Sequence, residues 1–167
     1  MATSGNMCRT ANGFDINGFG QLKDGRGNIC PCTIILPTIA MEANGNIEQF
    51  MEILDERIHE TKDILIERFN WICNQNPKSA KFMWENGTME GYIPEEGIRS
   101  ALKHGTLAVG LLGLAETLQL LIGEDQTTPK GLDLAKYILQ LFKTRCAEFK
   151  EQYKLNFGVY FTPEHNA

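Results

Sequence analysis

The sequence predicts an α/β domain in which parallel strands are joined by long helices. Three short apolar runs, rich in β-branched or aromatic residues, are typical of strands. Two long segments instead carry apolar residues at three- and four-residue steps, which is the period of an amphipathic helix. Strands that are separated by long helices run parallel, because each helix returns the chain to the same end of the sheet.

The three predicted strands are residues 32–37, 104–110 and 156–161. The first run is β-branched and closes at Pro37; it lacks strict alternation, as expected for a strand that is covered on both faces. The second run leads directly into a helical segment over residues 111–118. The third run precedes Thr162-Pro163-Glu164, which is similar to a strand-to-helix turn.

The two long amphipathic helices have recognisable start signals. The first begins after Asn46, extends for about 30 residues, and has Gln49 in the position of a capping box. The second begins at Thr128-Pro129, a capping hydroxyl followed by a proline in the first turn. Between them we predict an irregular segment over residues 78–94 and a short helix over residues 94–102.

Residues 1–32 are rich in glycine and asparagine and predict a long loop. This loop contains Cys8, Cys30 and Cys32, three of the five cysteines of the chain. Long loops that carry reactive side chains are more often functional than accidental. We therefore look for chemistry first in this segment.

Composition excludes several classes of protein. The 167 residues include 16 basic and 21 acidic side chains, a net charge of −5, which argues against nucleic-acid binding. No run approaches the roughly 18 apolar residues of a membrane span, and no export signal opens the chain, so we expect a cytoplasmic protein. An odd cysteine count without a C-x-x-C pair predicts neither a disulfide framework nor a metal site.

Four blocks of residues resemble the anaerobic (class III) ribonucleoside-triphosphate reductases, most closely the clostridial type. Each block alone is weak, but together they follow the family's order and span essentially the whole chain. The blocks are Cys8-Arg9-Thr10; Gly25-Arg26-Gly27-Asn28 with Thr33-Ile34-Ile35-Leu36-Pro37; Lys103-His104-Gly105-Thr106-Leu107 with Gly110-Leu111-Leu112-Gly113-Leu114-Ala115-Glu116; and Leu155-Asn156-Phe157 with Thr162-Pro163-Glu164. Ile35 and Thr38 depart from the family, which usually has an asparagine and an arginine at these positions.

The resemblance implies part of a ten-stranded α/β barrel, in which residues 1–32 form a finger loop and its return, and residues 33–167 form strand–helix units. Cys8 would carry a transient thiyl radical that takes the 3′ hydrogen of a ribonucleoside triphosphate. The 2′ hydroxyl then leaves as water, and formate or a redoxin supplies electrons. Substrate-binding roles are implied for Asn28, Thr162 and Glu164; backbone N–H groups at a helix start such as the one after Thr162 suit phosphate.

The same resemblance implies partners and parts outside these residues. The thiyl radical derives from a glycyl radical that an iron–sulfur activase installs with S-adenosylmethionine. The ATP-binding regulatory domain, the glycyl-radical loop and a four-cysteine metal site are not found in residues 1–167. We therefore expect a fragment that needs the remainder of the reductase chain, which is commonly a homodimer, and that is inactive alone.

Alternative interpretations remain open at this stage. The chain would also suit a non-catalytic helical interaction module, or, less well, a thiol redox protein that uses Cys30 and Cys32. His104 would either contact substrate or, as we prefer, bind a backbone carbonyl at a strand entry. We attribute Gly110 and Gly113 to close helix packing, and Cys73 and Cys146 to the core.

Overall fold

A computed structural model describes residues 12–161, which contain a three-stranded parallel sheet and helices packed against it. The described residues form strand β1, helices α1–α4, strand β2, helices α5 and α6, and strand β3. Their bounds are β1 Cys32–Ile35, α1 Leu36–Glu42, α2 Ile47–Cys73, a 3₁₀ turn Pro77–Ala80, α3 Lys81–Glu85, α4 Arg99–Leu102, β2 Thr106–Leu112, α5 Leu114–Ile122, α6 Pro129–Tyr153 and β3 Asn156–Phe161.

The sheet has the order β1-β2-β3, and both pairs of strands are parallel. Thr33 is opposite Gly110, and Gly110 is opposite Tyr160, so these residues form one row across the sheet. The parallel arrangement predicted from the alternation of strands and helices is therefore confirmed. Within the described residues, the outer edges of β1 and β3 have no neighbouring strand.

Both predicted capping residues are confirmed, but the Gln49 half of the capping box is not formed, because the Asn46 amide donates to the Ala43 carbonyl at 3.0 Å. The Asn46 side chain accepts a hydrogen bond from the Gln49 amide at 3.1 Å, and α2 follows. Thr128 Oγ1 accepts one from the Gly131 amide at 3.1 Å, and α6 follows with proline in its first turn. Each cap satisfies an amide that the helix itself leaves without a partner.

The core lies between the sheet and the two long helices. Alternate side chains of a strand point to opposite faces, and one face of β2 places Leu107, Val109 and Leu111 in the apolar core. Both long helices bury most of their predicted stripes there, but Ile47 on α2 is exposed and Phe50, which was not predicted, is buried instead. The buried residues are Phe50, Leu54, Ile58, Leu65 and Phe69 on α2, and Ala135, Ile138, Phe142, Cys146 and Phe149 on α6.

Four predicted boundaries were wrong. The second strand covers Thr106–Leu112 and not residues 104–110, so the helix that follows it, α5, begins at Leu114 and not at residue 111. The first strand ends at Ile35, because Pro37 occupies the first turn of α1, where its fixed φ and missing N–H are tolerated. Residues 78–94 are not wholly irregular, since the 3₁₀ turn and α3 lie there. The helix predicted over residues 94–102 is confined to α4, because residues 93–97 form a turn closed by a bridge between Ile93 and Gly97.

None of the helices in residues 12–161 combines the length and the apolar character that crossing a membrane requires.

Candidate functional site

The second face of the sheet, opposite the apolar core, carries mainly small or polar side chains, with Ile35 and Leu112 at its carboxyl end. The pleat places nine residues on this small-residue face, and at its centre the Thr33 and Tyr160 hydroxyls lie 2.6 Å apart. Its members are Thr33 and Ile35 from β1, Thr106, Ala108, Gly110 and Leu112 from β2, and Asn156, Gly158 and Tyr160 from β3.

Gly110 is explained by this face and not by the helix packing that we predicted. A Cβ at position 110 would lie 2.6 Å from the Tyr160 ring and 2.8 Å from Thr33 Oγ1. Glycine is therefore needed for the hydrogen bond to cross the central strand. For Gly113 the prediction is confirmed: its φ is +77°, and a Cβ there would lie 2.5 Å from Cγ of Pro37 in α1.

Asn28, the predicted substrate residue within the described part, lies at the amino end of this sheet. Its backbone forms a parallel bridge with Thr106, and the flanking bonds are Thr106 N–H to the Gly27 carbonyl at 2.8 Å and Ile29 N–H to the Thr106 carbonyl at 2.9 Å. From Asn28 to Cys32 the chain advances four residues, while β2 advances only three, from Thr106 to Val109. This extra residue gives Asn28 and Thr33 register positions on the same face.

The other predicted site residues, Cys8, Thr162 and Glu164, lie outside the described residues. The chain that follows Cys8 is fixed from Asn12 onwards. Asn12 Nδ2 donates to the carbonyls of Lys23 and Arg26 at 3.2 Å each, and its Oδ1 accepts from Thr106 Oγ1 at 2.9 Å. Asn12 is thus held at the same sheet end as Asn28, whereas β3 ends at Phe161 at the opposite end.

Residues 12–29, here called the return loop, are held to the sheet by a buried carboxylate. Asp15 is 1% exposed and accepts four hydrogen bonds: from Asn156 Nδ2 at 2.7 Å, from the amides of Asn17 and Phe19 at 2.9 and 3.0 Å, and from His104 Nδ1 at 2.6 Å. Burial raises the pKa of Asp15, but the four hydrogen bonds outweigh burial and lower its pKa to about 2.

His104 binds this carboxylate, so the prediction that it binds a backbone carbonyl was wrong. Because an ionised carboxylate only accepts, Nδ1 of His104 carries the proton that it donates to Asp15. The imidazole stacks on Phe19 with ring centroids 3.7 Å apart and planes 8° apart. A backbone carbonyl was predicted as the partner because the carboxylate of Asp15 lies 89 residues away in sequence.

Arg26, near the carboxyl end of the return loop, is hydrogen-bonded to His104 as well. Its side chain is buried, and Nε donates to the His104 carbonyl at 2.5 Å. Nη1 donates to the carbonyls of Gly13 and Leu22 at 2.7 Å each. Burial lowers the pKa of Arg26, while the charge of Asp15 opposes that shift.

Sequence reasoning missed Asp15 and gave no role to Arg26 or Asn156. Signals for them were present: an arginine between two glycines, and an asparagine at the start of a strand. Neither signal names a partner, since Asn156 and Asp15 lie 141 residues apart.

The environment of the cysteines does not favour a dithiol redox pair. Burial raises the pKa of Cys30 to about 11, and its thiol donates to the Leu65 carbonyl at 3.7 Å. Burial likewise raises the pKa of Cys146 to about 12 and that of the half-buried Cys73, and both contact the core as predicted. Such thiols are poor nucleophiles. Across residues 12–161, no three histidine, cysteine or acidic side chains converge as metal ligands would.

Comparison with known proteins gives consistent matches. Residues 2–167 match the family model described as anaerobic ribonucleoside-triphosphate reductase. The chain is 27% identical to the Escherichia coli (strain K12) protein of that name, over 95% of this chain and 23% of that protein. It is 24% identical to the one of enterobacteria phage T4, over 87% of this chain and 24% of that protein. The chain thus spans about a quarter of the length of these relatives.

Solved structures of anaerobic ribonucleotide reductases share the fold. The Thermotoga maritima enzyme with glycerol in the active site has a TM-score of 0.68 at 21% identity, over 90% of this chain and 23% of that chain. The same enzyme in complex with dATP and CTP has a TM-score of 0.68 at 21% identity, over 90% of this chain and 24% of that chain.

Proposed function

Because the chain belongs to the anaerobic ribonucleoside-triphosphate reductase family, we propose that it forms the part of such a reductase's catalytic barrel that carries the radical cysteine, Cys8. The complete enzyme reduces ribonucleoside triphosphates to deoxyribonucleoside triphosphates for DNA synthesis. The observation that carries this proposal is the family match over residues 2–167, which includes Cys8 and all predicted substrate residues.

The position of Asn12 supports the role of Cys8. The Asn12 side chain is hydrogen-bonded to Thr106 at the amino end of the small-residue face, and Cys8 precedes Asn12 by only four residues, which span at most about 14 Å of chain. Asn28 occupies the same end. Asn28 and the anchor of the segment that follows Cys8 therefore belong to one end of one sheet.

The outer strands support a larger barrel. Ile35 at the end of β1 and Phe161 at the end of β3 are each 55% exposed. Strands with free edges and exposed apolar side chains need further strands beside them. We assign the missing neighbours to the remainder of a ten-stranded barrel.

The chemistry follows from a sulfur radical at Cys8. The glycyl radical of the complete enzyme would take the hydrogen atom of the Cys8 thiol, so that the S–H bond breaks, a C–H bond forms at the glycine and the unpaired electron is left on sulfur. Cys8 then takes the ribose 3′ hydrogen, so that the C3′–H bond breaks and an S–H bond forms. The 2′ hydroxyl takes up a proton and leaves as water when the 2′ C–O bond breaks. Formate or a redoxin supplies two electrons, which with a second proton form the new C2′–H bond, and the hydrogen returns from Cys8 to C3′. Asn28, Thr162 and Glu164 would orient the substrate during these steps.

The remaining parts of the proposal concern the complete polypeptide. It includes an ATP-binding regulatory domain, a C-terminal glycyl-radical loop and a four-cysteine metal site. Its partners are a second copy of the same chain and an iron–sulfur activase that uses S-adenosylmethionine. We place the enzyme in the cytoplasm, and we expect residues 1–167 alone to be inactive.

The test replaces Cys8 in the complete natural polypeptide that contains this chain. After activation, electron paramagnetic resonance measures the glycyl radical, and deoxyribonucleotide formation is measured per radical. We expect Cys8→Ser to retain the radical and to lose turnover completely. Cys30→Ser is the matched control, because Cys30 is a buried thiol with a raised pKa, and turnover per radical should persist. Turnover in Cys8→Ser at the wild-type rate would refute the proposal.

A further inference from the structure

We propose that Asp15 and His104 form a positioning pair that sets the place of Cys8 and Asn28 relative to the sheet. This inference deepens the proposed function and rests on it. The pair touches neither substrate nor the reacting atoms in this account; it acts through the return loop, whose two ends lead to those residues.

Both ends of the return loop are hydrogen-bonded to His104. Its side chain binds Asp15, which lies three residues after the anchored Asn12 and so on the Cys8 side of the loop. Its carbonyl accepts from Arg26 at 2.5 Å, two residues before Asn28. A displacement of His104 therefore moves both the segment that follows Cys8 and the segment that contains Asn28.

The imidazole itself is clamped from two sides. Phe19 stacks against it at 3.7 Å. On Gly91, whose φ is +82°, a Cβ would lie 2.9 Å from the Cδ2 and Nε2 atoms of His104. The ring therefore has little freedom to rotate, and its hydrogen bond holds the Asp15 carboxylate in one orientation.

Filling space does not explain a buried aspartate at position 15. A buried carboxylate loses its hydration, and well-packed apolar residues of similar size often stabilise a protein as well or better. What the carboxylate adds is direction, because each of its four hydrogen bonds fixes an angle as well as a distance. Two of these bonds, from His104 and Asn156, join the loop to the turn before β2 and to the first residue of β3, and the other two come from amides of the loop itself.

The test compares His104→Ala with His104→Gln in the activated complete polypeptide. Turnover is measured per glycyl radical, with kcat and KM determined separately, and hydrogen exchange reports on the return loop. A displacement of about 1 Å can cost 100-fold in rate, so we expect His104→Ala to lower kcat per radical 10- to 100-fold and to change KM less than threefold. Exchange in the return loop should accelerate. Glutamine can donate a hydrogen bond to Asp15, so the decrease in log kcat for His104→Gln should be at most half of the decrease for His104→Ala.

The matched control is His59→Ala, which removes a half-exposed histidine on α2 whose Nδ1 contacts the Asp55 carbonyl at 2.8 Å. It should change neither kcat nor loop exchange. Unchanged kcat per radical in His104→Ala, with faster loop exchange, would reduce the pair to a structural role and overturn the inference. If His104→Ala does not fold, His104→Gln and Asp15→Asn give the same readouts, and wild-type kcat in Asp15→Asn with accelerated exchange overturns the inference too. Activity in Cys8→Ser would instead overturn the proposed function itself.

Discussion

Replacement of Gly110 by alanine tests whether the centre of the small-residue face depends on the absence of a side chain. The new Cβ would lie 2.6 Å from the Tyr160 ring and 2.8 Å from Thr33 Oγ1, well inside ordinary contact near 3.4 Å. Moving a buried ring costs roughly 1–3 kcal/mol, and loss of the Thr33–Tyr160 hydrogen bond adds about 1 kcal/mol. Alanine also lowers the conformational entropy of the unfolded chain, and this favours the folded state by at most about 1 kcal/mol. The expected net loss of stability is about 2 kcal/mol.

Gly158→Ala is the matched control for this prediction. Gly158 lies on the same face in the neighbouring strand, and among residues 12–161 a Cβ there would meet only Thr106 Cγ2, at 3.2 Å. Hydrogen exchange of peptides from β2 and β3 in the complete polypeptide measures the local stability. A loss of about 2 kcal/mol corresponds to exchange about 30-fold faster, which we expect for Gly110→Ala, against a change of about twofold or less for Gly158→Ala. Equal rates in the two variants would refute the steric argument.

Three further predictions concern the return loop and the thiols. Asn156→Ala removes a hydrogen bond to the Asp15 carboxylate and the acceptor of the Ile16 amide, so loop exchange should accelerate about 100-fold, while the exposed Asn86→Ala should leave it unchanged. The pKa of Asp15 is lowered to about 2 in the folded protein, so the ionised carboxylate stabilises the folded state by about 2 kcal/mol. This contribution is complete above about pH 4 and is lost as the pH falls through 2. Protection of the return loop from hydrogen exchange that persists below pH 2 would contradict this. Cys30 and Cys146, with pKa values raised to about 11 and about 12, should react with iodoacetamide at pH 8 at least about 100-fold more slowly than a free thiol, as measured by mass spectrometry.

The regular elements could be predicted from sequence because their determinants are local. A side-chain acceptor three residues before an amide favours a helix start, and Asn46 and Thr128 supply one for each long helix. The apolar stripes of α2 and α6 repeat with the helical period, so their buried faces are visible in the sequence. Alternation of strands with these helices then determines the parallel pairing.

The candidate site could be predicted only in part because its contacts are distant in sequence. Asn28 was found through resemblance, but its place beside Thr106 depends on an extra residue before β1 that no periodic pattern reveals. The preference of His104 for Asp15 over a carbonyl depends on a partner 89 residues away. Gly110 was misassigned because the atoms that exclude a Cβ belong to β1 and β3.

The return loop and the sheet below it are held by different kinds of force, and this has a consequence for function. The sheet is fixed by apolar burial against α2 and α6, which is strong but not directional. The loop leaves Phe14 55% exposed and Leu22 47% exposed, and is held instead by hydrogen bonds that converge on Asp15 and Arg26. Directional bonds determine where the loop lies, while burial determines whether the sheet folds. Substitutions in the Asp15 network can therefore displace the return loop and still leave the sheet folded. In the proposed reductase this separation would serve the radical thiol of Cys8, because its distance from the sugar of the substrate would then be set independently of the stability of the sheet.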